Sequence, residues 1–231
     1  MLILGIDTAT SVCSLALYDG RRVLAEWNAD SGLTHSEKMM PQLEALLQSC
    51  ALDKTALRGI AVSIGPGSFT GLRIGVTSAK TLAYALDIPV TGVTTPLVLA
   101  YNLPAPGIWL SPLIDGQKGQ VYQTVYEWRD GRMLETEKIA LKPLTEALAL
   151  LARSGRECRL LGECLAEPAD GWPENVRPVP PYLAKPRASV VAMLGYDSIS
   201  AGKWANPVDL EPWYMKKSEA ELLWEQRRTA K

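Results

Sequence analysis

The chain has 231 residues, 47% of them hydrophobic, which is enough for one large domain or two small ones. Its 24 basic and 25 acidic residues leave a formal net charge of −1, whereas a protein that binds nucleic acid unaided is usually more basic. The single histidine, His35, excludes a metal site built from paired histidines, and the cysteines at 13, 50, 158 and 164 form no Cys-x-x-Cys pair and read as reduced thiols of a cytosolic protein.

Met1–Asp7 lacks a basic region and is broken by Asp7, so Leu2–Ile6 reads as a strand buried on both faces and not as a signal peptide. No apolar run reaches the ~18 residues of a membrane span. Val12–Tyr18 is the next strand, Asp19-Gly20 a hairpin turn and Val23–Asn28 the return strand. His35–Ser49 carries Met39, Met40, Leu43, Leu46 and Leu47 at helical spacing, with Thr34 or Ser36 as cap. Pro41 predicts a late start or a kink, because proline is tolerated chiefly in a first turn. Ile60–Ile64 is the fourth strand.

The centre of the first half is Gly65-Pro66-Gly67-Ser68-Phe69-Thr70-Gly71, a glycine-rich turn between that strand and a long helix over Gly71–Leu86. Ser68 or Thr70 can cap the helix. A strand, glycine loop and helix can cradle an anion. The same loop also reads as a tight turn with no ligand, since Leu72 stands where the phosphate-binding lysine would be. The helix is apolar on more than one side. Leu72, Val76, Ala79, Ala83 and Leu86 can face a sheet, which leaves Ile74, Ala85, Gly75, Ser78 and Thr81 for a second surface covered by another part of the chain or by another subunit.

Pro89–Val93 is the fifth strand, and Asn102–Gly107 is a proline-rich boundary. Beyond it the order restarts: strands at Ile108–Ile114, Gln120–Trp128 and Met133–Leu141, with turns at Asp115–Gly119 and Arg129–Arg132. A helix at Thr145–Arg153 and a strand at Arg159–Leu161 come next, and then a helix at Ser189–Ala201 after the crossing Pro178–Pro186. Two successive β-β-β-α units argue for a duplicated α/β architecture with mixed sheets flanked by helices. Trp213, Tyr214 and Trp224 are costly to leave exposed, so the last segment reads as a docking segment, with Ser218–Arg228 as a helix.

Asp7, at the end of a buried strand and followed by Thr8 and Thr10, stands where a carboxylate can position a metal-bound nucleotide phosphate; Asp115 is its counterpart in the second half. The favoured alternative is that Asp7 accepts hydrogen bonds from its own turn. His35, beside Thr34, Ser36 and Glu37, reads as part of a helix start and not as the base of a hydrolase triad.

Ile3–Thr10, His35–Pro41 and Gly65–Gly75, with Asp115–Tyr122 and Glu211–Tyr214, resemble the TsaB (YeaZ) family. The resemblance implies duplicated lobes of the actin/Hsp70-like (ASKHA, RNase H-like) fold. The lobes are expected at residues 1–104 and 105–231, with the C-terminal segment packing back on the first. It implies a cytoplasmic, non-catalytic scaffold subunit in the formation of N6-threonylcarbamoyladenosine at tRNA position 37. The partners so implied are TsaD, which holds the metal and performs the transfer, the ATPase TsaE, a second copy when TsaD is absent, and tRNA only through the complex. The partner surface so implied comprises His35, Ser36, Met39, Met40, Leu43, Leu72, Ile74, Gly75, Ser78, Ala79 and Leu82. Asp7, Thr8, Thr10 and Asp115 would mark a vestigial phosphate site, because Ala9 replaces the glycine of the Asp-x-Gly-Thr phosphate motif and its Cβ crowds the approach. No cofactor is expected beyond weak nucleotide binding. The rival readings are an ATP-binding enzyme of this fold and a metallopeptidase.

Overall fold

The computed structural model describes residues 1–30, 35–163 and 172–216, with the backbone alone for 35–37. The first lobe is built on β1 (Leu2–Asp7), β2 (Val12–Tyr18), β3 (Val23–Asp30), β4 (Leu57–Gly65) and β5 (Val90–Thr94), with α1 (His35–Ser49), α2 (Phe69–Leu86) and α3 (Thr95–Ala100). Its strand order is β3-β2-β1-β4-β5; β1 to β3 are antiparallel, and β1, β4 and β5 run parallel.

The second lobe contains β6 (Trp109–Asp115), β7 (Gln120–Arg129), β8 (Arg132–Pro143), α4 (Leu144–Arg153), β9 (Cys158–Leu161) and β10 (Val176–Pro178). Its order, β10-β9-β6-β7-β8, repeats that of the first lobe strand for strand, read from the other edge. The duplication is therefore one of topology, with β6 equivalent to β1 and β9 to β4. The result is the expected duplicated architecture of two mixed sheets flanked by helices.

Side-chain alternation explains why both faces of the first sheet are covered. Leu4 and Ile6 of β1 and Ile60 and Val62 of β4 point to one face, where they meet Met39, Leu43, Leu46 and Leu47 of α1 and Val76, Ala79 and Ala83 of α2. Ile3 and Ala61 point to the other, where they meet Val191, Ala192 and Ile199 of α5 (Ala188–Ser200). The helix at the end of the second half of the sequence thus packs on the sheet of the first. In the second lobe Val121 and Val125 pack with Ala147 and Leu151 of α4, while Tyr122 and Tyr126 pack with Leu99 and Ala100 of α3.

The structure departs from the sequence expectations in four places. α1 begins at His35 and continues through Pro41, so the late start does not form. Burial of Met39, Leu43, Leu46 and Leu47 at about 2 kcal/mol each outweighs the backbone bond that proline forfeits. The six-residue α3 and the three-residue β10 are additional elements. Gly75 lies in the interior and not on an outer surface. The expected helix at Ser218–Arg228, like Trp224, lies outside the described residues.

Candidate functional site

Asp7 ends β1 fully buried. Its Oδ1 accepts the Ala9 N–H at 3.0 Å and its Oδ2 accepts the Ser63 hydroxyl. Burial pushes its pKa up to about 6, partly opposed by those two hydrogen bonds. Thr8 donates its hydroxyl to the Gly71 carbonyl at 2.7 Å. The residues read as a vestigial phosphate site therefore tie the end of β1 to β4 and to the start of α2. Thr10 and Asp115 line the cleft between the lobes, whereas Asp7 and Thr8 lie buried beneath its wall. Asp115 is exposed and accepts the Gln117 N–H at 2.8 Å.

The glycine loop folds onto the same turn. The Ser68 N–H donates to the Ala9 carbonyl at 2.7 Å, and the Ser68 hydroxyl caps α2 by accepting the Gly71 N–H at 3.2 Å. A Cβ on Gly71 would stand 2.0 Å from the Thr8 carbonyl oxygen, and one on Gly75 would stand 2.3 Å from the Thr8 hydroxyl oxygen. Thr8 thus limits the size of residue 75 from inside the same lobe, which corrects the assignment of Gly75 to a partner surface. A Gly carries no side chain whose spacing could have revealed that.

The α1–α2 layer has an inner and an outer side. Met39, Leu43, Leu72 and Ala79 are buried in the lobe's own core and support the layer from below. Outward area belongs to Met40, which is exposed, and to Ile74, Ser78 and Leu82, which are half-buried; Ala45, Thr81 and Ala85 are exposed beside them. His35 and Ser36 lie in the first turn of α1 by their backbone.

Between the lobes is a cleft of about 750 Å³ whose walls include Phe69, Leu113, Tyr122 and Trp213, with Ser11, Asp115, Glu163 and Lys216 among its polar groups. The sequence did not single out Glu163, which accepts from the Ser11 hydroxyl at 3.2 Å, or Arg73, whose guanidinium lies 4.0 Å from the Phe69 ring centroid. Nothing in their local spacing signals the Ser11 partner of Glu163 or the Tyr214 hydroxyl that accepts from Arg73 Nε at 3.1 Å. Trp213 and Tyr214, read as docking residues because exposure is costly, touch the first lobe and yet stay exposed, at 38% and 40%. The Trp213 N–H donates to the Ile64 carbonyl at 2.7 Å, and the Tyr214 ring lies 4.7 Å from that of Phe69.

The profile of a family described as "TsaD: tRNA N6-adenosine threonylcarbamoyltransferase" matches residues 30–163. The tRNA threonylcarbamoyladenosine biosynthesis protein TsaB of Bacillus subtilis (strain 168) is 33% identical over 229 residues, 97% of this chain and 98% of that protein. The chain belongs to the TsaB family. The Escherichia coli (strain K12) TsaB is 34% identical over 154 residues, 62% of this chain and 63% of that protein. Two solved structures share the fold of this TsaB-family chain. One is an uncharacterized Pseudomonas aeruginosa protein with similarity to peptidase YEAZ, with a TM-score of 0.77, 23% identity and coverage of 93% and 99% of the two chains. The other is YeaZ from Pseudomonas aeruginosa, with a TM-score of 0.71, 24% identity and the same coverage. Among the described residues, no helix is long and apolar enough to cross a membrane and no three His, Cys, Asp or Glu side chains gather as a metal site.

Proposed function

We propose that this chain is a non-catalytic, cytoplasmic subunit in the formation of N6-threonylcarbamoyladenosine at tRNA position 37. It pairs with TsaD through the outer side of α1 and α2, supports docking of TsaE, pairs with a second copy of itself when TsaD is absent, and meets tRNA only through the complex. The names of its relatives carry the pathway. The observation that supports the pairing is the outer side itself, where small and apolar residues (Ala45, Ser78, Thr81, Ala85 with Met40 and Ile74) allow two helices to approach closely. The non-catalytic reading is supported by Asp7, whose two carboxylate oxygens are engaged by Ala9 and Ser63. We assign no cofactor, and nucleotide at most weakly, because the Ser68 amide of the glycine loop is bonded to the Ala9 carbonyl.

The test is a charge on that outer side. Thr81 is exposed and Ser78 half-buried, so Thr81→Glu and Ser78→Glu leave the core intact. Burying either carboxylate in a helix–helix interface costs several kcal/mol, so at least about a tenfold loss of affinity for cognate TsaD is expected. Size-exclusion chromatography reads it out, and co-elution at parental levels overturns the proposal. The interlobe cleft is of ligand size and supports one rival, an ATP-binding enzyme. Calorimetry with Mg-ATP on the purified chain separates the two: tight binding with turnover favours the rival.

A further inference from the structure

We propose that residues 205–216 act as a strap that sets the opening of the interlobe cleft, held firmly on the first lobe and releasable at the second. After α5 the chain crosses the open edge of the first sheet. The Ala205 N–H donates to the Val90 carbonyl at 2.9 Å, and the Lys80 ammonium donates to the Val208 carbonyl at 2.8 Å. Leu210 is buried in the first lobe's core. The Trp213 amide then bonds the Ile64 carbonyl at the end of β4, and the Trp213 carbonyl would lie 3.1 Å from a Cβ on Gly65. Tyr214 stacks on Phe69 in the first turn of α2, and its hydroxyl accepts from Arg73 Nε at 3.1 Å.

Two residues later the segment reaches the other lobe. Met215 packs with the core that includes Ile114 and Tyr122, and Lys216 Nζ donates to the Gly116 carbonyl at 2.6 Å in the turn between β6 and β7. Trp213, Tyr214, Met215 and Lys216 all line the cleft. The two ends differ in kind. The first-lobe end is fixed by backbone hydrogen bonds, a buried leucine and the Tyr214 ring against Phe69, whereas the second-lobe end rests on a half-buried methionine and one ammonium–carbonyl bond. An element with one strong and one weak anchor opens at the weak one, and its release frees the β6–β7 turn at its own wall of the cleft while α3 and the Ser11–Glu163 bond still join the lobes.

Hydrogen exchange on the full chain tests this with Lys216→Met and with the double variant Met215→Ala/Lys216→Met. Losing one such anchor corresponds to about a fivefold to thirtyfold change in a local opening equilibrium. Amides of residues 116–120 are therefore expected to exchange faster by about that factor, while the Trp213 amide and β4 keep parental rates. Tyr214→Ala is expected to reverse the pattern, with faster exchange at Trp213 and in the first turn of α2. Parental rates at 116–120 in both Lys216 variants overturn the proposal. So does loss of Trp213 protection in step with the turn, which would make the segment one cooperative piece of the first lobe. Lys216→Met alone removes only an ammonium from a half-buried side chain, so the test survives if the double variant does not fold.

Discussion

Two carboxylates occupy equivalent points in the duplicated topology and live in opposite surroundings. Asp7 ends β1 and Asp115 ends β6, each on the central strand of its sheet. Asp7 is sealed beneath the glycine loop and α2, with both oxygens bonded inside the lobe. Asp115 faces the cleft and accepts from the Gln117 amide of the next turn. The cover over Asp7 comes from the loop after the neighbouring parallel strand β4. In the first lobe β4 leads into a loop whose Gly67 and Gly71 can press on Ala9 and Thr8. Topology supplies two candidate sites, and the covering loop decides that one of them is a structural joint.

Breaking that joint has the largest expected effect. Gly71→Ala would place a Cβ 2.0 Å from the Thr8 carbonyl oxygen, a backbone atom that cannot rotate away. Chemical denaturation should show a loss above about 3 kcal/mol, the upper end for overpacking. Gly119, in the turn beyond Asp115, has φ +75°, and a Cβ there would meet nothing within 4 Å. Gly119→Ala should cost only the left-handed backbone penalty of about 1 kcal/mol. Equal costs would mean that the glycine loop packs on Thr8 no more tightly than the open β6–β7 turn packs on its surroundings.

Much of this frame is legible in the sequence. Continuous apolar runs at Leu2–Ile6 and Ile60–Ile64 announce strands covered on both faces. Asp19-Gly20 and Asp130-Gly131 announce the hairpins, and Ser68 announces the cap of α2. The turn-bonded reading of Asp7 agrees with its bond to the neighbouring Ala9 amide. The features that the sequence conceals are set by distant contacts. Gly75 is small because of Thr8, the α3 helix is too short for a period to show, and Val176–Pro178 is a strand only because β9 lies beside it. The phosphate and structural readings of the glycine loop share one sequence, and the Ser68–Ala9 hydrogen bond is what distinguishes the loop as it folds.

The Asp7–Asp115 contrast sharpens with pH. Burial raises the Asp7 pKa from 3.8 to about 6, so between these values the folded chain holds a proton that the unfolded chain has lost. Stability from this group therefore falls as pH rises through that window, by about 2 to 3 kcal/mol in all. Asp7→Asn keeps an acceptor for the Ala9 amide and can donate to the Ser63 hydroxyl. Relative to the parent it should gain that amount between about pH 3.5 and about pH 7.5, measured by urea denaturation across the range. Asp115→Asn, exposed, should change stability by less than about 0.5 kcal/mol at any pH. A parental pH profile in Asp7→Asn would show that Asp7 is ionised in the fold at little cost.

A smaller pH effect than that of Asp7 has the opposite sign and lies where α5 returns to the first lobe. Glu26 of β3 accepts the Ser189 N–H at 3.0 Å in the first turn of α5, and Arg187 pairs with its other oxygen. Burial alone would raise its pKa, but the hydrogen bonds from Arg187 and Ser189 and the Arg187 charge outweigh burial and hold it below the usual 4.5. Its stabilisation is therefore full above pH 4.5 and is lost as pH falls through the lowered folded value. Arg187 is half-exposed, so screening leaves about 1 kcal/mol for Glu26→Gln to remove at about pH 7. That deficit should vanish below the lowered folded value, where the parent's carboxyl is protonated too. A deficit that persists there would place the stabilisation in the shape of the side chain and its neutral hydrogen bonds, and would leave the charge of Glu26 without a part in holding α5 to the sheet.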